Sequence, residues 1–285
     1  MSQPSEKHTH IYDYDIDLSS DTASARVIRM VGHQKRVLEI GAGPGSITKH
    51  LKHANNCRIT ALELDGEAIK KLPPFCERIY QANLNDSAWA DLLKDEERFE
   101  AVVAADVLEH VYEPLTVLKQ MATFMNDDGC VITSLPHVGH SAIHACLLEE
   151  DFEYRDWGLL DRTHIRFFGI KNIQSLFENA GLKIVQAEFV IRTPEVTEFV
   201  DRWNRLDPDV QLALEKNPFG HVYQVVVKAV HETAVGQALS LISMLPTEHA
   251  VVSRWKIWKA AVRPYLSHGF RSGSKKLLGM LGIRI

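Results

Sequence analysis

The residues with the clearest chemical potential form the run VLEIGAGPGS at positions 37 to 46, followed by Glu63. A β-rich run directly before Gly41, Gly43 and Gly45 lets the chain turn sharply there. It also brings backbone N–H groups up to a ligand at a helix N-terminus. Glu63 ends the next β-rich run, 18 residues beyond the last glycine. A carboxylate at that point accepts hydrogen bonds from both hydroxyls of a ribose. The spacing GxGxG departs from the GxGxxG of dinucleotide sites, whose third glycine admits the helix near a pyrophosphate. A nucleoside without pyrophosphate therefore fits better. Read alone, the glycines also suit a tight strand-to-helix turn with no ligand.

Imidazoles supply the second candidate chemistry. Five of the 14 histidines lie close together in sequence: His110, His137, His140, His144 and His164. An imidazole, with an unperturbed pKa of about 6.5, takes a proton from a hydroxyl as a new bond forms. His140 and His164 suit that role because both follow a strand end, where acceptors bind in open α/β folds. His110 and His144 read as structural. Asp161 either orients one of the rings or caps a turn. Arg162 and Arg166 either hold a diphosphate or acidic sugar, or pair with Glu149, Glu150 or Asp151. No metal site is expected. The four cysteines show no CxxC pairing or neighbouring His at ligand spacing, and Asp127-Asp128-Gly129 reads as the turn before a strand.

These groups need a scaffold, and the pattern along the chain supplies one. Residues 1 to 18 are a polar lead expected to be mobile. Ser19 or Ser20 then caps a helix ending at Gly32. RVLEI, RITALEL, ERIYQANL, FEAVVAAD, CVITSLP, LKIVQAEFVI and HVYQVVVKAV read as seven strands, with helical stretches between most of them. Strand then helix, repeated, predicts a doubly wound α/β domain over residues 19 to 230, its sheet covered on both faces. The last strand, 221 to 230, is expected to insert antiparallel. His137 to Gly169 breaks the alternation as an insertion between strand and helix.

Here the chain resembles the class I S-adenosylmethionine-dependent methyltransferases, from about Val37 to Val230. The resemblance implies their Rossmann-like seven-stranded fold and the cofactor S-adenosylmethionine. Glu39-Ile40-Gly41-Ala42-Gly43-Pro44-Gly45 is similar to their first motif, which implies Gly41 and Gly43 near the methionine and ribose of the cofactor. Glu63, with Leu64 beside it, looks like their ribose-binding acid. Asn83-Leu84 stands where the family commonly has an acid facing the adenine amino group, so Asn83 offers an uncharged amide oxygen instead. Ala105-Asp106-Val107-Leu108-Glu109-His110-Val111 resembles the motif that lines the cofactor after the fourth strand. LPHVGH followed by LLDRTHIRFF is similar to a subfamily associated with bacterial surface polysaccharide (O-antigen and lipopolysaccharide) synthesis. There the stretch covers the substrate side, and His137 replaces a customary Asn.

The resemblance implies O-methylation of a sugar hydroxyl on a glycan or nucleotide sugar. His140 or His164 is then the base, oriented by Asp161, and His137, Arg162 and Arg166 contact the substrate. Two other readings stand beside it: O-methylation of a quinone or other lipid-like phenol, and a non-catalytic cofactor-binding partner subunit. Tyr12 and Tyr14 either close over the methionine end of the cofactor or belong to a frayed terminus.

The chain has 285 residues, 45% hydrophobic and 24% charged, which excludes disordered, collagen-like and disulfide-scaffold classes. Its net charge of −5 conceals a split. Residues 231 to 285 carry eight Lys/Arg against two acids, a net of +6, which leaves −11 for residues 1 to 230. In that extension Val251, Trp255, Trp258, Val262 and Tyr265 share a helical face beside Lys256, Lys259 and Arg263. Such a basic amphipathic helix suits an anionic membrane surface through residues 249 to 285. Packing on the body or on a second copy in a homodimer is the alternative. Nucleic acid is not an expected partner, because the acidic body would repel it. No signal-peptide core or apolar run of 18 or more residues appears, so a cytoplasmic protein is expected, peripheral on the inner face of the membrane if the tail binds there.

Overall fold

Apolar runs rich in Val, Ile, Leu and Ala make the seven strands of one sheet in the computed structural model, which describes residues 12 to 246. In chain order they are β1 (Arg36–Ile40), β2 (Arg58–Glu63), β3 (Arg78–Gln81), β4 (Phe99–Ala105), β5 (Met125–Pro136), β6 (Leu182–Ile191) and β7 (Val222–His231). Across the sheet the order is β3-β2-β1-β4-β5-β7-β6. The first five strands run parallel, and β7 lies antiparallel between β5 and β6, as its sequence led us to expect.

Eight helices accompany them among the described residues: α1 (Ala23–Val31), α2 (Thr48–His53), α3 (Gly66–Ile69), α4 (Pro114–Thr123), α5 (Ser141–Leu148), α6 (Ile170–Asn179), α7 (Val200–Arg205) and α8 (Pro208–Leu214). Side chains alternate across a strand, so each central strand feeds two cores. Leu38, Val102 and Ala104 pack with Leu118 of α4 and Phe177 of α6. Val37, Ala101 and Val103 pack on the other face with Val27 and Ile28 of α1 and Leu51 of α2. Burial on both faces is why these strands read as continuous apolar runs.

Several boundaries differ from the sequence reading. Thr22, not Ser19 or Ser20, caps α1: its side chain accepts the Ala25 N–H at 3.4 Å. Asp127-Asp128-Gly129 is no turn between elements but an irregularity inside β5, where the register with β4 shifts between Phe99 and Ala101. The insertion 137–169 contains α5 and a small core of its own, Ala142, Ile143, Cys146, Leu159 and Leu160, closed by Phe199 and Tyr223. The four cysteines are free thiols. Between residues 236 and 246 only a 3-10 turn, Leu241–Ser243, interrupts irregular chain, with Leu241 buried. The helix expected over Val251 to Tyr265, with its proposed membrane face, lies outside the described residues. Among the described residues no helix is long and apolar enough to cross a membrane.

Candidate active site

The strand order reverses direction at β1 and β4, and ligands of open α/β sheets bind at the carboxyl ends of the strands beside such a switch. Two loops meet there. Gly41 leaves β1 at φ +69°, and a Cβ at that position would stand 2.6 Å from Cγ2 of Val107, which follows β4. Gly43 is also left-handed, at φ +54°, and its N–H donates to Glu63 Oε2 at 2.7 Å. Glu63 Oε1 accepts the N–H groups of Leu64 at 2.8 Å and Asp65 at 2.9 Å. The carboxylate thus locks the glycine loop to the end of β2 while remaining half-buried. Beside it Leu64 is 57% exposed, an apolar face uncovered next to the ribose acid.

Below the loop, Glu39 on β1 is buried, and its Oε2 has no hydrogen-bond partner among the described residues. Burial pushes its carboxyl up to about 8. Ala42 is buried against Ala61 and Leu72, and Gly45, at φ +96°, abuts Leu72 and Phe75. Asp106 adopts φ +53° and accepts hydrogen bonds from Ser134 and Gln224, each at 2.9 Å. It ties the β4 loop to β5 and β7, and burial raises its carboxyl above the ordinary range. Asn83 Oδ1 accepts the Asn85 N–H at 3.0 Å, which leaves its second lone pair for a ligand. Leu84 packs at the edge of the larger core.

On the insertion side the structure brings together His164 and two residues of the motif after β4, Glu109 and His110, the second of which the sequence reading took as structural. Their ligating atoms all lie within 4.8 Å of one another. Glu109 is completely buried, and neither carboxylate oxygen has a hydrogen-bond partner among the described residues. Burial, with Asp106 and Asp161 nearby, holds its carboxyl well above the usual range. Its backbone carbonyl accepts the N–H groups of Ile165 and Arg166 at 2.9 and 3.0 Å, which fastens the insertion to the end of β4. His110 Nδ1 lies 3.1 Å from the Thr163 carbonyl and His164 Nδ1 3.3 Å from the Leu159 carbonyl. A carbonyl only accepts, so each Nδ1 donates its proton there. Burial and the neighbouring His110 hold His164 down to about 4, so its ring is neutral at physiological pH.

Other expected site residues have structural work. His140 is the N-cap of α5: Nδ1 accepts the Ala142 N–H at 3.1 Å and Nε2–H donates to the Arg192 carbonyl at 2.8 Å. With both ring nitrogens engaged, it is not a base. Asp161 reaches neither ring; its Oδ1 accepts the N–H and hydroxyl of Thr163 at 2.8 and 2.6 Å, a turn cap. His137 is buried against Gly139 and donates to the Val222 carbonyl at 3.0 Å, so it cannot meet a substrate. Arg162 pairs with Asp156 at 2.5 Å. Arg166 clamps the Tyr112 carbonyl at 2.6 and 3.1 Å. Glu149 and Asp151 instead pair with Arg202 and Arg205.

The lead is not free where it is described. Ser46 Oγ accepts the Tyr14 N–H at 3.1 Å and donates to the Tyr12 carbonyl at 2.7 Å, and Ile16 is buried in the core beside α1. Lys49 and Lys71 pair with Asp15 and Asp13 at 3.2 and 2.7 Å. The Tyr12 hydroxyl donates to Asp161 Oδ2 at 3.2 Å, and burial with that carboxylate pushes the phenol up to about 12. Residues 12 to 16 therefore form a strap from the glycine loop to the insertion. The alternation of aromatic and acidic residues in IYDYDID was the available signal.

Sheet order, glycine loop and the carboxylate that holds it together define a doubly wound α/β domain with a glycine-rich loop at its switch point. The model of the Methyltransferase domain family matches residues 19–187, and the chain belongs to that family. It is 23% identical over 174 residues to a sarcosine/dimethylglycine N-methyltransferase of Halorhodospira halochloris, a match that spans 58% of this chain and 59% of that protein. A putative methyltransferase of Bacillus halodurans superposes with a TM-score of 0.52 at 14% identity, covering 73% of this chain and 98% of that one. A SAM-dependent methyltransferase of Archaeoglobus fulgidus gives 0.51 at 17% identity, covering 72% and 91%. The fold is thus that of S-adenosylmethionine-dependent methyltransferases.

Proposed function

We propose that this protein transfers a methyl group from S-adenosylmethionine to a sugar hydroxyl of a surface glycan. The observation that carries the reading is a glycine loop held by Glu63 and linked through Tyr12 to the insertion, whose His164 has Nδ1 on a backbone carbonyl and Nε2 without a hydrogen-bond partner among the described residues. The residues fit the cofactor: a Cβ at Gly43 would stand in open space at the loop, and Glu39 Oε2 is a buried oxygen without a partner among the described residues. Bound there, S-adenosylmethionine supplies a sulfonium methyl whose bonding pair stays with sulfur when the methyl leaves. Glu63 takes the ribose hydroxyls and Leu64 covers the adenine. His164 Nε2 accepts the hydroxyl proton as the acceptor oxygen bonds to the methyl carbon. The strap and insertion align the reactants and keep water out.

Because Arg162 and Arg166 are committed elsewhere, the handle is the sugar ring rather than a diphosphate. Tyr154, Trp157, Ile165 and Phe167 expose apolar surface on the same insertion, which also favours a quinone or lipid-like phenol as the second reading. Anionic lipid remains our proposed contact for residues 249 to 285, and a cytoplasmic site of action goes with it.

Purified protein supplied with S-adenosylmethionine is expected to release S-adenosylhomocysteine with a surface glycan or its lipid-linked precursor. Turnover with quinone precursors alone would overturn the sugar assignment. His164→Ala is expected to lower kcat by roughly 10²- to 10⁴-fold, the usual worth of a positioned base, with little change in S-adenosylhomocysteine affinity. Tyr12→Phe cuts the strap's tie to Asp161. A lost hydrogen bond of about 1 kcal/mol corresponds to roughly fivefold faster S-adenosylhomocysteine dissociation in stopped flow. An unchanged rate would show that the strap does not retain the cofactor.

A further inference from the structure

The cluster of Glu109, His110 and His164 is too well formed for a proton acceptor alone. A base needs one imidazole. Here one ring nitrogen from each of His110 and His164 and a fully buried carboxylate with no hydrogen-bond partner among the described residues lie within 4.8 Å of one another. A buried carboxylate without partners is costly, and proteins normally satisfy such a group or give it to a cation. Both Nδ1 atoms are fixed on backbone carbonyls, the outer hydrogen bond that orients metal-ligating histidines and sets their tautomer. Ligands about 2.1 Å from a tetrahedral ion stand about 3.4 Å apart. His164 Nε2 and Glu109 Oε1 stand 3.9 Å apart, so a contraction of about half an ångström closes the pair.

We propose that Glu109, His110 and His164 hold one divalent transition-metal ion, with Zn²⁺, Mn²⁺ and Fe²⁺ as the ligand set's natural guests. Three protein ligands leave at least one coordination position open, the mark of a catalytic rather than a structural site. The cluster sits at the carboxyl end of β4, so the open position faces the acceptor side. Resting on the methyl-transfer reading, the ion would lower the pKa of an acceptor hydroxyl bound to it. His164 then serves as a ligand, and without the ion it remains the proton acceptor. Ion binding itself does not depend on that reading.

The test is a titration of the full chain, stripped with chelator, without cofactor or acceptor. Calorimetry with Zn²⁺, and loss of the free Mn²⁺ paramagnetic resonance signal, are expected to report one ion per chain. Glu109→Gln and His110→Ala are each expected to weaken that ion at least about tenfold. Other histidines on the surface are untouched by Glu109→Gln, so a weak background stays constant. No ion on the wild-type chain, or equal binding by both variants, overturns the proposal. If Glu109→Gln does not fold, as read by far-UV circular dichroism, His110→Ala at its partly exposed position gives the same comparison. Binding that survives in a protein without methyltransferase activity would fail the methyl-transfer reading and leave the ion site standing.

Discussion

Gly41→Ala is expected to lower affinity for S-adenosylhomocysteine at least about 100-fold, roughly 2.7 kcal/mol of binding free energy. Two costs act together. At φ +69° an L-residue is strained, by about 1–2 kcal/mol. The new Cβ would also stand 2.6 Å from the Val107 methyl, a distance that forces the β1 and β4 loops apart. Separating them opens the place where the methionine half of the cofactor belongs. Isothermal calorimetry reads the loss, and Gly41→Ala combined with Val107→Ala separates the causes. The second substitution removes the clash but not the backbone strain, so partial recovery is expected. Wild-type affinity in Gly41→Ala would mean that the cofactor does not lie against this loop.

Glu63→Ala is expected to cost about as much, for a different reason. One carboxylate accepts the N–H groups of Gly43, Leu64 and Asp65, so its removal unlocks the glycine loop and deletes the ribose acceptor together. Hydrogen bonds to a charged group contribute about 1.5–3 kcal/mol when well shielded; half-burial places these at the lower end. Glu63→Gln keeps one acceptor oxygen and should fall between the two, near a tenfold loss. The discriminating comparison uses a 2′-deoxy analogue of S-adenosylhomocysteine. Wild type should bind it more weakly than the parent ligand, while Glu63→Ala should bind the two alike. If the preference for the 2′-hydroxyl survives in Glu63→Ala, another residue reads the ribose.

The joining of the glycine loop to Glu63 was legible in the sequence because its signals are local. Glycines at fixed offsets from a strand end, and an acid at the end of the next strand, define geometry within one β-loop-α-β unit. The acceptor half depends on contacts between distant residues. His140 looked like a base, yet a carbonyl at Arg192, 52 residues away, occupies its second nitrogen. Glu109 read as part of a motif and not as a ligand, because nothing local announces that the insertion covers it through Ile165 and Arg166. The lead looked mobile because it is polar; Ile16 and the Tyr12 hydroxyl anchor it to elements no local pattern connects. Strand existence was readable from apolar runs, and the doubly wound sheet from the alternation, but the β5 irregularity was not, since Asp-Asp-Gly is equally at home in a turn.

β7 follows both β5 and β6 in the chain and lies between them in the sheet. Translation therefore delivers the strand that joins β5 to β6 last. Until His231 has left the ribosome, the β7 partners of Val131 to Pro136 do not exist, and that flank of the nascent protein is an open hydrogen-bonding edge. The segment matched by the family model stops at 187, inside β6. A gene shortened to that boundary would encode the whole cofactor cradle and lack the strand that seals the sheet beside it, making aggregation rather than lost chemistry the first symptom of truncation.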